Sequence, residues 1–181
     1  MPPEIFISVD VETAGPIPSS YALLSIGACL IDDFSTSFYV ELQPEHEAFM
    51  PEALAICGLD LAVLRETGSP PQAAMQAFAD WVKRVVPAGS RAVFVALNAP
   101  FDWMFINDYF HRYLGCNPFG HSALDIKAYY MGATGCAWSE TSLKYIAAHL
   151  KQDKHLIHNA LRDAQDQGTI FRQLLHRDFT E

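Results

Sequence analysis

Two carboxylates stand two residues apart near the end of an apolar stretch close to the start of the chain. This stretch is short and β-branched and is bounded by proline and glycine, which predicts a buried strand over Ile5–Val11. Because side chains alternate between the two faces of a strand, Asp10 and Glu12 point to the same side. Two adjacent like charges at the end of a core strand repel each other and lose hydration, and a divalent cation relieves both costs. A solvated turn capped by Thr13 is the simpler alternative.

The size and composition of the chain indicate one globular domain. It has 181 residues, of which half are hydrophobic. Such a chain buries roughly 70% of its unfolded surface, so we expect a single domain over residues 1–181. No apolar run reaches the roughly 18 residues of a membrane span, and the N-terminal residues lack a signal-peptide pattern. The four cysteines contain no C-x-x-C pair, which predicts free thiols in a reducing, cytoplasmic setting.

The charge balance restricts the ligands that the protein can hold. There are 21 acidic and 12 basic residues, and the formal net charge is -9. Proteins that hold long duplex DNA by charge are usually basic, so composition argues against such a partner. The lysines and arginines form no run. If the ligand is a nucleic acid, a short or single-stranded end is favoured over a long duplex.

Strand and helix patterns alternate along the rest of the chain. Apolar runs predict strands over Leu23–Ile31 and Ser37–Leu42, which would follow the first strand in an antiparallel meander. Apolar spacings of three and four residues then predict helices, with one further strand over Ala92–Leu97 between them. A mixed sheet flanked by helices follows from this order. The predicted helices cover Pro51–Ile56, Pro71–Val86, Phe101–Leu114, Asp125–Met131, Thr141–Leu150 and Asn159–His176.

Two more acidic clusters lie at the edges of predicted elements. Asn98 and Asp102 follow a predicted strand and open a helix. Asp163 lies near the start of the last predicted helix, five residues after His158. A histidine in the preceding loop can swing over such a site and act as a general base. The alternatives are an acid favoured only by the helix dipole and a helix-entry histidine beside a solvated acid.

The order and local spacing of these clusters resemble the DEDDh branch of the DnaQ-like 3′-5′ exonuclease family. That family includes the proofreading subunit of bacterial DNA polymerase III, RNase T and oligoribonuclease. Leu97 departs from the family, many of whose members carry a histidine before the asparagine, but it lies outside the acidic set. The resembling motifs, which span nearly the whole chain, are Val9-Asp10-Val11-Glu12-Thr13, Asn98-Ala99-Pro100-Phe101-Asp102 and His158-x4-Asp163.

The resemblance implies both a fold and a mechanism. The fold would be an α/β, ribonuclease H-like exonuclease fold with a five-stranded mixed sheet flanked by helices, the fifth strand lying around Ser122–Leu124. Two Mg²⁺ or Mn²⁺ ions would clamp the scissile phosphate, His158 would activate water as the general base, and 5′-mononucleotides would leave. The four metal-binding, catalytic carboxylates would be Asp10, Glu12, Asp102 and Asp163.

The implied partner is the 3′ end of single-stranded RNA or DNA. Stacking of a base on an aromatic side chain contributes about 1–3 kcal/mol, so apolar and aromatic residues near the acids are the expected contacts. Trp103 and Trp138 are weaker candidates for the same role. The resemblance leaves open a homodimer or a polymerase partner. The side chains expected at the substrate are those of Tyr21, Leu24 and Phe101. The resemblance adds the backbone of Thr13 and Ala14 around the terminal nucleotide, and Asn98 is expected at the substrate backbone.

Two other functions use similar residues. A non-catalytic nucleic-acid-binding module on the same fold would bind without hydrolysis and would be expected to lack one or more of the carboxylates, all of which are present. A metal phosphatase would use the acids but need no stacking surface. Metal-dependent shortening of a labelled oligonucleotide separates the exonuclease from both alternatives.

Overall fold

The computed structural model describes residues 2–152 and 157–176. Its centre is a five-stranded sheet in the order β3-β2-β1-β4-β5. β1 pairs antiparallel with β2 and parallel with β4, β2 pairs antiparallel with β3, and β4 pairs parallel with β5. The five-stranded mixed sheet is therefore confirmed, including the short fifth strand. The strands are β1 (Glu4–Thr13), β2 (Leu23–Leu30), β3 (Ser37–Glu41), β4 (Arg91–Ala96) and β5 (Ala123–Asp125).

Seven α-helices and one 3₁₀ turn flank the sheet in the part of the chain that the structure describes. Six of these helices correspond to predicted ones, whereas α2 and the 3₁₀ turn have no predicted counterpart. None of the described helices is long and apolar enough to cross a membrane. The helices are α1 (Pro51–Cys57), α2 (Leu61–Thr67), α3 (Pro71–Val85), α4 (Ala99–Leu114), α5 (Ile126–Thr134), α6 (Leu143–His149) and α7 (Ala160–Leu175), and the 3₁₀ turn is Trp138–Glu140.

The sheet separates two hydrophobic layers. Ile7, Val9 and Val11 of β1 belong to the layer that holds buried aromatic residues of α3 and α4. On the other face, Ile170 and Phe171 of α7 pack with residues of β4, α5 and α6. Because β1 alternates between its faces, its two carboxylates lie on the side of α7.

The first turn of α7 lies very close to β2. Gly27 pairs with Asp10 across the sheet, and a Cβ atom at position 27 would lie 2.1 Å from the carbonyl carbon of Ala160. Only glycine leaves room for this approach. The close contact brings Asp163, in the first turn of α7, toward the strand that carries Asp10 and Glu12.

A third, smaller hydrophobic cluster corrects two expectations about the substrate. Leu24 is 0% exposed and packs under Leu64 of α2, so its side chain offers no surface to a nucleotide. Ala14 is also fully buried, and its backbone is already in use. Its N–H donates to the carbonyl of Ala22, and its carbonyl accepts from the N–H of Met50. Neither residue is placed to hold a substrate.

Candidate active site

A cavity of about 430 Å³ opens at the edge of the sheet where β1 and β4 end. Around it, α1 contributes Ala53 and Ile56, while the N-terminal ends of α5 and α6 contribute Lys127 and Leu143. All five predicted catalytic residues line this one cavity. The predicted residues in its lining are Asp10, Glu12, Thr13, Asn98, Phe101, Asp102, His158 and Asp163.

Three side chains in the cavity are close enough to share one cation. Glu12, His158 and Asp163 each offer a ligand atom, and these atoms lie within 4.8 Å of one another. Carboxylate oxygens suit Mg²⁺ and Mn²⁺, so the donor set fits a divalent ion. Glu12 is only 9% exposed, which excludes the alternative of a solvated turn.

Asp163 fixes the backbone of the loop that carries the histidine. One carboxylate oxygen accepts the N–H of Ile157 at 3.0 Å, and the other accepts the N–H of His158 at 2.8 Å. His158 has a φ of +56°, an uncommon conformation for a residue with a side chain. Its position just before α7 agrees with the sequence prediction. The geometry of the histidine therefore depends on the acid five residues later.

Asp102 is held against the end of β1 by a backbone hydrogen bond. It is 5% exposed, and its Oδ1 accepts the N–H of Val11 at 3.1 Å. The start of α4 is fixed by Asp125, whose Oδ1 accepts the N–H groups of Asn98 at 2.9 Å and Ala99 at 3.1 Å. This carboxylate stabilises the left-handed conformation of Asn98, whose φ is +69°. Asp125 thus positions the turn that precedes Asp102.

Gln167 joins the two central strands at the point where their direct pairing stops. The described pairing of β1 with β4 ends at Ser8 and Val95. Beyond this point the Gln167 side chain connects the two strands. Its amide nitrogen donates to the carbonyl of Val9 on β1 at 2.8 Å, and its amide oxygen accepts the N–H of Leu97, just after β4, at 2.6 Å. The amide thus replaces ladder hydrogen bonds next to the site and connects β1, β4 and α7.

Burial raises the pKa of all four predicted metal ligands. The pKa of Asp10 lies well above its usual value because of burial and then the nearby charge of Asp102. Burial raises the pKa of Glu12 to about 7 and that of Asp102 to about 8. Burial also raises the pKa of Asp163, although backbone N–H groups oppose the effect. A bound cation would lower these pKa values again, because a nearby positive charge favours the ionised form of an acid.

The predicted substrate contacts divide into two groups. Thr13, Asn98 and Phe101 line the cavity, whereas Tyr21 lies outside its described lining. The Tyr21 ring instead covers Gly15, where an added Cβ would be 2.4 Å from the ring. Tyr21 is therefore not among the residues of the cavity, and its contact with the substrate stays a prediction.

Trp103, a weaker candidate, belongs to the core. Its ring packs edge-on against Phe94 with centroids 5.3 Å apart. Phe94 is fully buried, so this contact directs the indole toward the hydrophobic layer. Trp138, by contrast, is 52% exposed.

Three residues that the sequence analysis does not single out complete the site. Gln167 lies four residues after Asp163, so helical spacing would have placed both on one face. Asp125 stands at a strand-to-helix junction, where an acid is a common helix cap. Lys127 carries no local pattern, and only the fold brings it to the cavity.

Comparison with known proteins gives consistent matches. The family model described as an exonuclease, RNase_T, matches residues 7–171. The 3′-5′ DNA exonuclease Cap18 of Escherichia coli is 48% identical over 169 residues, which cover 93% of this chain and 90% of that protein. Ribonuclease T of Salmonella typhimurium is 32% identical over 184 residues, which cover 94% and 84%.

Solved structures share the architecture at low sequence identity. The nuclease domain of 3′hExo, a DEDDh family member solved bound to rAMP, has a TM-score of 0.78 at 15% identity and covers 94% of this chain and 91% of its own. Exonuclease I of E. coli in complex with a dT13 oligonucleotide has a TM-score of 0.69 at 19% identity and covers 95% and 40%. At these low identities the two structures show that the fold is shared, and nothing more.

Proposed function

The chain belongs to the RNase_T exonuclease family and has a ribonuclease H-like fold, and from this membership we propose that it is a metal-dependent 3′-5′ exonuclease. It hydrolyses phosphodiester bonds at the 3′ end of a single strand and releases 5′-mononucleotides. The observation that carries the proposal is the cluster in which Glu12, His158 and Asp163 bring ligand atoms within 4.8 Å of one another. Asp10 and Asp102 line the same cavity.

In this proposal the cofactor is two Mg²⁺ or Mn²⁺ ions, held by four carboxylates that line the cavity. Burial raises the pKa of each of these acids, and nearby carboxylates add to the effect, whereas a hard divalent ion would favour the ionised oxygens that it prefers as ligands. When bound, such ions neutralise charge on the scissile phosphate and make water more acidic. The ligands are Asp10, Glu12, Asp102 and Asp163.

His158 is the general base. Asp163 fixes its backbone, and its side chain lines the cavity, so a neutral imidazole accepts a proton from the attacking water at a ring nitrogen. His158→Ala should lower kcat about 10²-fold or more, with an octamer-length substrate still bound. A full rate in this variant would exclude His158 as the base.

The substrate is a single-stranded 3′ end, and DNA is favoured over RNA. Thr13, Asn98 and Phe101 line the cavity, which supports their proposed contact with the terminal nucleotide. A net charge of -9 does not suit a long duplex held by phosphate contacts. The preference for DNA rests on the higher identity to a DNA exonuclease, 48%, than to a ribonuclease, 32%.

The setting of the protein is part of the proposal. The four cysteines are free thiols, which supports a reducing, cytoplasmic location. A single exonuclease domain over residues 1–181 is supported by the one sheet that organises the described residues. A homodimer or a polymerase partner stays a prediction of the family resemblance.

A degradation assay tests the proposal. The purified protein is incubated with 5′-labelled single-stranded DNA, single-stranded RNA and blunt DNA duplex, in Mg²⁺, in Mn²⁺ and in EDTA. We expect stepwise shortening, fastest on single-stranded DNA, with 5′-mononucleotides as products and no reaction in EDTA. Asp163→Asn should abolish it, whereas Asp80→Asn, an exposed acid on α3, should not.

Either of two results would overturn the proposal. One is an absence of shortening with both metals. The other is equal shortening by the wild-type protein and by Asp163→Asn.

A further inference from the structure

Lys127 is the one lysine or arginine among the described residues that line the cavity. It lies in the first turn of α5, and its backbone N–H donates to Asp125 at 3.3 Å. The same carboxylate holds the N–H of Asn98 at 2.9 Å. The base of Lys127 is therefore fixed relative to the turn that leads to Asp102.

Trp138 stands next to Lys127 on a rigid turn. Its carbonyl accepts both the hydroxyl of Thr141, at 2.7 Å, and the N–H of Thr141, at 3.2 Å. The Glu140 side chain closes the turn by accepting the N–H of Ala137 at 3.0 Å. These bonds fix the backbone while the indole remains 52% exposed. A large aromatic ring is thus held at the surface by a turn whose backbone is hydrogen-bonded at both ends.

The two side chains are in direct contact. Lys127 Nζ lies 4.4 Å from the centroid of the Trp138 ring, within the range of a cation–π interaction. One face of the indole thus meets the ammonium, and the exposure of the ring leaves surface for another planar group. Lys127 lines the cavity, whereas Trp138 lies outside its described lining. The pair therefore connects the inside of the site to the surface beside it.

We propose that Lys127 and Trp138 form a binding subsite for the part of a single strand upstream of the scissile phosphodiester. This inference rests on the proposed function, since a 3′ end in the cavity leaves the upstream strand to cross its rim. Trp138 stacks on a base, and Lys127 binds the adjoining phosphodiester as a point charge. The ligand class is single-stranded nucleic acid of at least two nucleotides, bound without regard to sequence.

The two contacts have different physical signatures. Loss of a stacked base costs about 5- to 150-fold in affinity and leaves the salt dependence nearly unchanged. Loss of a phosphate contact lowers the slope of log affinity against log salt by about 0.7 for a single strand. Binding titrations at several salt concentrations can therefore separate the stacking contact from the phosphate contact.

The experiment measures binding and cleavage separately. Binding of a fluorescent single-stranded DNA octamer is followed by anisotropy in the Asp163→Asn protein, alone and combined with Trp138→Ala or Lys127→Ala. Cleavage of the octamer and of the nitrophenyl ester of thymidine 5′-monophosphate, which lacks an upstream strand, is followed in the Trp138→Ala and Lys127→Ala single variants. We expect weaker binding and a raised KM for the octamer in both variants, with the rate on the ester unchanged within about twofold in Trp138→Ala, whose side chain lies outside the cavity lining. Trp138→Phe should restore most of the octamer affinity.

The chain offers a matched control. Arg172 lies over the ring of Phe34 with the same 4.4 Å separation, on the C-terminal half of α7. Arg172→Ala removes a positive charge from a cation–π pair away from the cavity, so both octamer and ester rates should stay at the wild-type level.

Each outcome separates the two proposals. If the wild-type protein cleaves the octamer and the variants bind it equally well, the subsite is refuted and the exonuclease stands. If the wild-type protein cleaves nothing but binding still requires Trp138, the exonuclease fails, and the pair is a single-strand binding site with no cleavage step beside it. An equal loss on octamer and ester would assign the two residues to folding or chemistry and would overturn the subsite.

Discussion

The inner wall of the site and its outer rim are built in opposite ways. On the inner wall, Asp102 and Asp163 are 5% and 1% exposed. Asp102 accepts the N–H of Val11, and Asp163 accepts two N–H groups of the loop before α7. On the rim, Ile56 of α1 and Trp138 of the 3₁₀ turn are 55% and 52% exposed. The residues of the wall are buried parts of the fold, whereas the rim consists of short, exposed elements. Chemistry and substrate grip are therefore under separate structural control.

The largest effect that this comparison predicts is on the wall. Asp102→Asn should lower exonuclease activity about 10³-fold, because a carboxylate that holds a metal contributes several kcal/mol to the transition state. The fold should be retained, since the carboxamide oxygen can still accept the N–H of Val11. Urea unfolding and a rate measurement on the same preparation check both parts. Activity within tenfold of the wild-type protein would contradict the assignment.

The support behind the wall gives the next effect. Gln167→Ala should lower the free energy of unfolding by about 3 kcal/mol, because the N–H of Leu97 and the carbonyl of Val9 lose their buried partner. Urea denaturation measures this change. Activity should also fall about tenfold, with a higher Mg²⁺ requirement.

Gln165→Ala is the matched control for Gln167, since Gln165 lies on the same helix and donates to the carbonyl of Phe34 at 3.2 Å. Gln165→Ala should lower the free energy of unfolding by no more than about 1 kcal/mol. Equal costs for the two variants would remove any special role for the bridge between β1 and β4.

The buried charge of the wall should appear as a pH effect on stability. Burial raises the pKa of Glu12 from 4.5 to about 7, so the folded, metal-free protein holds this proton more tightly than the unfolded chain. That stabilisation is present below pH 4.5 and is lost as pH rises through 7. In EDTA, Glu12→Gln should therefore be more stable than the wild-type protein by about 3 kcal/mol at pH 8 and similar to it at pH 4.5.

Urea denaturation at both pH values provides the test, with Glu66→Gln on the exposed surface of α2 as the control. A difference that does not change with pH would show that the charge of Glu12 is not its source.

The smallest effect belongs to the rim. Ile56→Ala should change the free energy of unfolding by less than about 0.5 kcal/mol, because more than half of the side chain is already exposed. Ile26→Ala, the same substitution at a fully buried position of β2, should cost about 2–5 kcal/mol. Thermal unfolding of the two variants compares them directly. A large cost at Ile56 would mean that α1 belongs to the core and not to the rim.

The same division explains what the sequence could predict. The period of a strand places Asp10 and Glu12 on one face, and helix starts place Asp102 and Asp163, so the wall follows from local rules. The misassigned Leu24 is covered by α2, a seven-residue helix too short to show a clear apolar period. Whether an apolar residue beside a site is core or platform depends on such a neighbour, and no local pattern records it.

Gly27 shows how little room the fold leaves around the acidic cluster. A Cβ atom at position 27 would lie 2.1 Å from the carbonyl carbon of Ala160 and 2.2 Å from the nitrogen of Leu161. These are backbone atoms, which cannot change rotamer to relieve the clash. The helix would have to retreat, taking Asp163 and the loop of His158 with it. A residue that bears no functional group, on a strand that supplies none of the predicted ligands, thus determines how closely Asp163 approaches β1. Natural variation at this position should be as restricted as at the metal ligands.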